Sequence, residues 1–226
     1  MDKSKIHFIV VAGFSSDNLE AVKFQKCLEN MGFSAQAVSF YGKGYRDDFS
    51  GITASECLEN ISKVINEASE KYEMVFGVGI SLGGSLLLDY AKKNDNLQGI
   101  VGIGVPFKLR KIRLIHFGEK LFPVFLPIWN YLQKIKKFRL SPLGAASMVT
   151  KYLEGEAIQN LDRVKTPVLL IHSKKDPVSD FKAVSKFFDI ISSAKKKIIF
   201  FDNGDHVVDN DFESVAKHSL DFFDIS

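Results

Sequence analysis

The chain has 226 residues, 46% of them hydrophobic and 12% aromatic, and a formal net charge of +3. This length suits one domain with a sizeable core, and no run approaches the ~20 consecutive apolar residues that a membrane-spanning helix needs. Residues 1–5 lead directly into an apolar run, so no signal peptide is expected. Cys27 and Cys57 fall in helical patterns, which favours free thiols in a reducing compartment. We therefore expect a soluble, cytoplasmic protein rather than a disulfide-rich secreted or integral membrane protein.

Short β-branched runs alternate with segments of helical period along most of the chain. Strands are predicted at residues 6–11, 35–40, 74–78, 97–105, 167–173 and 197–201. Helices are predicted at residues 17–31, 53–71, 82–93, 180–191 and 212–225. Gly32 suits a helix C-cap, and Thr53 and Glu56 have the spacing of a capping box. The alternation predicts an α/β fold, a mostly parallel sheet of about six strands with helices on both faces.

The alternation stops between residues 107 and 147. Residues 107–140 contain nine Lys and Arg against one acidic residue, Glu119, together with many aromatic side chains. We expect an inserted helical cap at 107–147, with 1–106 and 148–226 forming the core. The cap aromatics expected to line a substrate pocket are Phe107, Phe122, Phe125 and Trp129.

The basic charge of this cap has two interpretations. Its aromatic residues could pack on the core while its lysines are solvated, or the surface could meet anionic lipid head groups or an anionic substrate. Nucleic acid is not expected as a partner, since no recognised binding motif accompanies the charge.

The sequence Gly79-Ile80-Ser81-Leu82-Gly83 lies between a predicted strand and a predicted helix. This is the context of a nucleophile elbow, in which a serine sits on a tight turn with its hydroxyl exposed. Gly79 and Gly83 are expected because side chains there would collide with neighbouring backbone. Ser81 is the candidate nucleophile.

A serine hydroxyl needs a base, and the base needs a carboxylate that fixes its tautomer. His206 follows the last predicted strand and Asp176 follows the fifth, so with Ser81 they would meet at the carboxyl edge of the sheet. Asp180 and Asp205 are competitors for the acid. Asp180 is better interpreted as a helix N-cap, and the side chain of Asp205, next to the base, is expected to point elsewhere.

Acyl transfer also needs two N–H groups directed at the developing oxyanion. The amide of Leu82, which follows the nucleophile, is one candidate. The second is the amide of Phe14 in the loop after the first strand, where Gly13 allows close approach of the backbone.

These motifs resemble those of the α/β-hydrolase superfamily over nearly the whole chain, most closely the small bacterial carboxylesterases and monoacylglycerol lipases. The resemblance implies hydrolysis of a small-molecule acyl ester without a cofactor. There are two alternatives. One is a thioesterase or acyltransferase with the same triad, and the other is a non-catalytic binding protein on this scaffold. The chain departs from the family in having Ala12-Gly13 where a His-Gly pair is common and Lys43 where Gly-His-Gly is frequent.

The remaining histidines and motifs carry weaker expectations. His7 and His218 are expected to be structural, and His116 in the cap stays unassigned. His172 ends the fifth strand, where a supporting role at the site and a purely structural one are equally open. No metal-ligand spacing or phosphate-binding glycine motif is present.

Overall fold

A six-stranded sheet forms the centre of the molecule. The computed structural model describes residues 2–14, 18–40, 53–110, 143–207 and 211–226. The strands are β1 (Ile6–Val11), β2 (Ser34–Val38), β3 (Met74–Ile80), β4 (Gly99–Ile103), β5 (Val168–Ser173) and β6 (Lys196–Phe201). They lie in the order β2-β1-β3-β4-β5-β6, and every neighbouring pair is parallel.

Six α-helices are described around this sheet. They are α1 (Leu19–Asn30), α2 (Ala54–Ser69), α3 (Leu82–Ala91), α4 (Leu143–Glu154), α5 (Phe181–Ile190) and α6 (Phe212–Phe223). Short 3-10 turns lie at Lys3–Lys5, Glu156–Ile158 and Leu161–Arg163. None of the helices in the described ranges combines the length and the apolar character that a membrane span requires.

Two apolar layers bury the faces of the sheet. On one face, side chains of α1 and α6 such as Phe24 and Leu220 pack with Phe8 and Val101 of the strands. On the other face, the core includes residues of α2, α3, α4 and α5. Strand β1, which lies between β2 and β3, is buried at all six positions. This explains why its residues other than His7 are apolar, since a parallel strand covered on both sides has no polar face.

The predicted fold class is confirmed, with element ends shifted by a few residues. Thr53 and Glu56 form the predicted reciprocal capping box, and Gly32, at φ +87°, follows α1. The fourth strand is shorter than predicted, because Gly104 at φ +60° turns the chain directly after Ile103. Helix α4 was not predicted from the sequence. It runs across residue 148, the position at which the chain was expected to return from the cap to the core.

Candidate active site

Ser81 lies on the sharp turn between β3 and α3. Its backbone adopts φ 51° and ψ −117°, an unfavourable conformation for a residue with a side chain and one found mostly where surrounding structure enforces it. The Ser81 N–H donates to the carbonyl of Ile103 at 2.7 Å. This bond ties the turn to the end of the neighbouring strand.

Two glycines allow the turn to be this tight. A Cβ atom on Gly79 would overlap the backbone of Gly84, and one on Gly83 would overlap the backbone of Val11 and lie 2.7 Å from the Ala12 carbonyl oxygen. Both contacts are with main-chain atoms, which cannot move aside as a side chain can. The elbow therefore packs directly on the loop that follows β1.

The structure brings Ser81, His206 and Asp176 together. His206 Nε2 lies 2.7 Å from Ser81 Oγ, and His206 Nδ1 lies 2.7 Å from Asp176 Oδ2. The Asp176 side chain is fully buried, whereas that of His206 is 16% exposed. Because a carboxylate only accepts, Nδ1 carries the hydrogen and Nε2 is left as the acceptor for the serine hydroxyl.

The Asp176 carboxylate is held on both of its oxygens. Oδ1 accepts from the N–H groups of Val178 and Ser179 at 2.7 and 2.9 Å. Burial would raise the pKa of Asp176, but contacts with His172 and His206 and the Ser179 N–H outweigh it and hold the pKa well below its ordinary value. The group therefore stays ionised at neutral pH.

Contacts between the β5–α5 and β6–α6 connections position the acid relative to the base. The buried Ser173 hydroxyl donates to the Gly204 carbonyl at 2.6 Å and accepts from the Lys175 N–H at 3.1 Å. On the surface, Lys174 contacts Asp202, and Lys175 contacts Asn203, each at 2.6 Å. Sequence reasoning missed Ser173, although a polar residue ending a buried strand just before the candidate acid was an available signal.

The predicted oxyanion loop lies against the elbow. A Cβ atom on Gly13 would lie 3.2 Å from both the Ile80 carbonyl oxygen and Ser81 Cβ, and the next residue, Phe14, packs on Phe40 with ring centroids 5.6 Å apart. Leu82 is the first residue of α3, so its N–H has no carbonyl partner in a preceding helical turn. Both candidate donors thus belong to segments adjoining Ser81.

The competing carboxylates have other partners. Asp180 is the N-cap of α5 and accepts from the Lys182 N–H at 3.2 Å. Asp205 Oδ1 accepts from the Val207 N–H at 2.9 Å. Neither accounts for the Nδ1 contact of His206, which Asp176 makes.

Three other histidines have distinct environments. His7 bonds to Ser34 and stacks on Tyr72, and His218 packs edge-on against Phe201. His172 is buried, and its Nε2 lies 3.2 Å from Asp176 Oδ2. Of these three histidines, His172 is the one that adjoins the site.

Phe107 is the cap candidate that the structure describes. It is buried and stacks on Phe187 of α5 at 5.5 Å, beside a mainly apolar cavity of about 440 Å³ that Leu109, Leu153 and Ile158 also line. Phe122, Phe125, Trp129, His116 and Lys43 lie outside the described residues. Within the described ranges, no group of three or more His, Cys, Asp or Glu side chains could hold a metal ion.

The parallel sheet and the serine elbow at its carboxyl edge define an α/β-hydrolase. The model of one family in this class, described as Serine aminopeptidase, S33 (Hydrolase_4), matches residues 2–213. The chain belongs to this family.

Individual relatives agree with the class. The chain is 23% identical over 229 residues to a thermostable monoacylglycerol lipase of Bacillus sp. (strain H-257), covering 98% of this chain and 92% of the relative. A structure reported for LipS and LipT, two metagenome-derived lipolytic enzymes, matches with a TM-score of 0.80 at 20% identity over 99% of this chain and 95% of the other. The monoacylglycerol lipase of Paleococcus ferrophilus matches with a TM-score of 0.72 at 18% identity over 97% and 95%. The predicted resemblance is confirmed: this is a lipase- and esterase-like α/β-hydrolase.

Proposed function

We propose that the protein hydrolyses carboxylic esters, either short- to medium-chain acyl esters or monoglycerides, through an acyl-serine intermediate. The observation that carries the proposal is the continuous path from the Ser81 hydroxyl through His206 to Asp176, with both heavy-atom separations at 2.7 Å. These lengths are within the range for proton transfer between a nucleophile and its base.

In the first half-reaction, Ser81 Oγ attacks the ester carbonyl carbon while His206 Nε2 accepts the hydroxyl proton. The carbonyl oxygen becomes an oxyanion, which the N–H groups of Leu82 and Phe14 stabilise. Collapse of this intermediate breaks the bond to the alcohol oxygen, which leaves with the proton from His206. Asp176 stabilises the imidazolium throughout by its negative charge.

In the second half-reaction, water takes the place of the alcohol. His206 removes a proton from water, the resulting hydroxide attacks the acyl carbon, and the proton passes to Ser81 Oγ as the acid leaves. The base then has its original protonation state, so the cycle needs no other reactant.

The substrate class draws support from the relatives, two of which are named monoacylglycerol lipases. We propose that the segment 107–147 is a cap over the site, with Phe107, Phe122, Phe125 and Trp129 toward the acyl chain. Its cations would then favour contact with anionic lipid surfaces that present such esters. Binding to vesicles with and without anionic lipid tests the proposed contact with lipid surfaces. Equally negligible binding to both would contradict it.

The test of the reaction is a substrate panel with variant controls. Aryl esters from acetyl to dodecanoyl, monoacylglycerols and acyl-CoA thioesters are compared for wild type, Ser81→Ala and Ser85→Ala. Ser85 is a buried serine one turn further along α3, so Ser85→Ala controls for loss of a hydroxyl near the elbow. We expect wild type to hydrolyse esters. Ser81→Ala should lower kcat by several orders of magnitude, whereas Ser85→Ala should keep the wild-type kcat. Preference for acyl-CoA would instead indicate a thioesterase, and undiminished ester turnover by Ser81→Ala would refute the mechanism.

A further inference from the structure

A second imidazole lies against the same carboxylate oxygen as the base. His172 Nε2 lies 3.2 Å from Asp176 Oδ2, the atom that His206 Nδ1 contacts at 2.7 Å. The His172 side chain is 1% exposed. One oxygen of the candidate triad acid thus faces two histidine rings.

The His172 ring has no satisfied hydrogen bond within the described part of the chain. Both of its nitrogens are buried and neither makes a hydrogen bond of good geometry, although Nε2 lies only 3.2 Å from Asp176 Oδ2. An unsatisfied polar group in the interior is destabilising. A position taken only by packing would favour an apolar residue, as at the neighbouring positions Leu170 and Ile171.

The Asp176 carboxylate has room to accept one more hydrogen bond, from the His172 ring. A carboxylate has about four acceptor sites, and the two on Oδ1 are occupied by the N–H groups of Val178 and Ser179. His206 takes one site on Oδ2, and His172 faces the remaining one. Since a carboxylate cannot donate, the His172 nitrogen facing it is the one that carries hydrogen, and a small ring rotation would complete the bond.

We infer that His172 is a positioning residue of the triad, whose Nε2–H fixes the Asp176 carboxylate so that Oδ2 stays aligned with His206 Nδ1. This inference rests on the proposed roles of Asp176 and His206. His172 touches no reacting atom and acts only through the acid. The described titratable groups that face it are Asp176, in the connection after its own strand, and His206, which reaches the same oxygen from the connection after β6.

The test replaces His172 by Leu, which fills space without a donor, and by Gln, whose amide can donate from a similar position. The control is His7→Leu, since His7 is a buried strand histidine near the amino end of β1, away from the site. Aryl-ester kcat and KM are measured across pH, together with the pH dependence of labelling by a fluorophosphonate. Thermal melting shows whether each variant is folded.

We expect His172→Leu to lose about ten- to hundredfold in kcat with little change in KM, the scale of one hydrogen bond to a charged group. The acid limb of kcat/KM and of labelling should move to higher pH, because the Asp176 charge is then less offset and stabilises protonated His206 more. His172→Gln should recover most of kcat and restore the limb. His7→Leu should change neither.

Two results would overturn the inference. One is wild-type kcat and an unmoved acid limb in His172→Leu. The other is an equal loss of kcat in His172→Leu and His172→Gln with an unmoved acid limb, which indicates that His172 contributes through packing alone. If His172→Leu does not fold, the test rests on His172→Gln. A wild-type kcat and a wild-type acid limb in that variant support the inference. A lower kcat together with a displaced acid limb in that variant contradicts it. Failure of the proposed function is distinguishable, because wild type itself would then neither label nor turn over esters.

Discussion

His206 Nε2 lies 2.7 Å from the hydroxyl of Ser81, although 125 positions separate the two residues in the sequence. Ser81 follows the central strand β3, and His206 follows the edge strand β6, with β4 and β5 between them. Strands about 4.8 Å apart place these ends roughly 14 Å from one another, so the connection after β6 must return over the sheet edge. It does so across Gly104, where a Cβ atom would overlap the His206 backbone carbonyl.

Replacing Asp176 by Asn should lower kcat by about 10³–10⁴ with the fold intact. The amide leaves the size of the group unchanged but removes its charge and can donate to His206 Nδ1, which favours the tautomer that cannot accept the serine proton. Ester kinetics and circular dichroism measure the two effects. Asp180→Asn, four residues further along, is the matched control and should keep wild-type kcat; an equal loss in both variants would contradict the assignment of the acid.

The buried acid should also make stability depend on pH. The pKa of Asp176 is lower in the folded protein than its ordinary value of 3.8, so at acidic pH the unfolded chain binds more protons and the free energy of unfolding rises with pH. This contribution is complete above about pH 5 and is lost as the pH falls through 3.8 toward the folded value. Urea unfolding of wild type and Asp176→Asn over this range measures it. Parallel acid-side slopes for the two proteins would contradict the prediction.

Removing the hydroxyl that joins the acid and base connections should affect both activity and stability. Ser173→Ala deletes the bond to the Gly204 carbonyl and should lower the free energy of unfolding by about 1 kcal/mol. It should also lower kcat, since the segment that carries His206 is less firmly held. Ser193→Ala is the control, because that serine is also buried and donates to a carbonyl, that of Lys195 at 3.0 Å, outside the site. Ser193→Ala should cost stability alone, and an identical kcat in the two variants would argue against a link between Ser173 and the base.

The elbow glycines should tolerate no side chain. In Gly83→Ala the new methyl group meets the backbone of Val11 and Ala12, so we expect a loss of about 3 kcal/mol in stability, at the upper end for overpacking, together with loss of ester turnover. In Gly77→Ala, within β3, the methyl meets side-chain atoms, those of Leu87 at 3.0 and 3.1 Å and Leu97 Cδ1 at 3.4 Å, which can adjust. Chemical denaturation and ester assays compare the pair. If Gly83→Ala has the same stability and ester turnover as Gly77→Ala, the elbow has room for a methyl group at residue 83 and the prediction is wrong.

Much of the fold could be predicted because its signals are local. The mainly apolar sequence of β1 reflects burial on both faces, and the Thr53 capping box depends on residues three apart. Ser81 was recognisable because a strained turn between strand and helix demands small flanking residues. Asp176 and His206 could be nominated from their place after strands, since parallel topology gathers strand ends at one edge.

Other features depend on contacts that no local pattern encodes. The approach of His172 to Asp176 and the bond from Ser173 to Gly204 are set by how two connections meet in space. The early end of β4 depends on Gly104 adopting positive φ beneath the His206 segment, which only the long-range path of that segment requires. Helix α4 was not predicted, because it begins within the segment assigned to the cap and ends in a stretch for which no element was assigned.

The role of Ser81 as the nucleophile is tested by the site at which a fluorophosphonate becomes attached, since only a serine activated by a neighbouring base reacts readily. Wild-type protein is labelled near neutral pH, digested and analysed by tandem mass spectrometry, with His206→Gln treated in parallel. We expect one adduct, on Ser81, that is lost or forms much more slowly in His206→Gln. An unlabelled Ser81, or labelling that proceeds equally fast without His206, would contradict it.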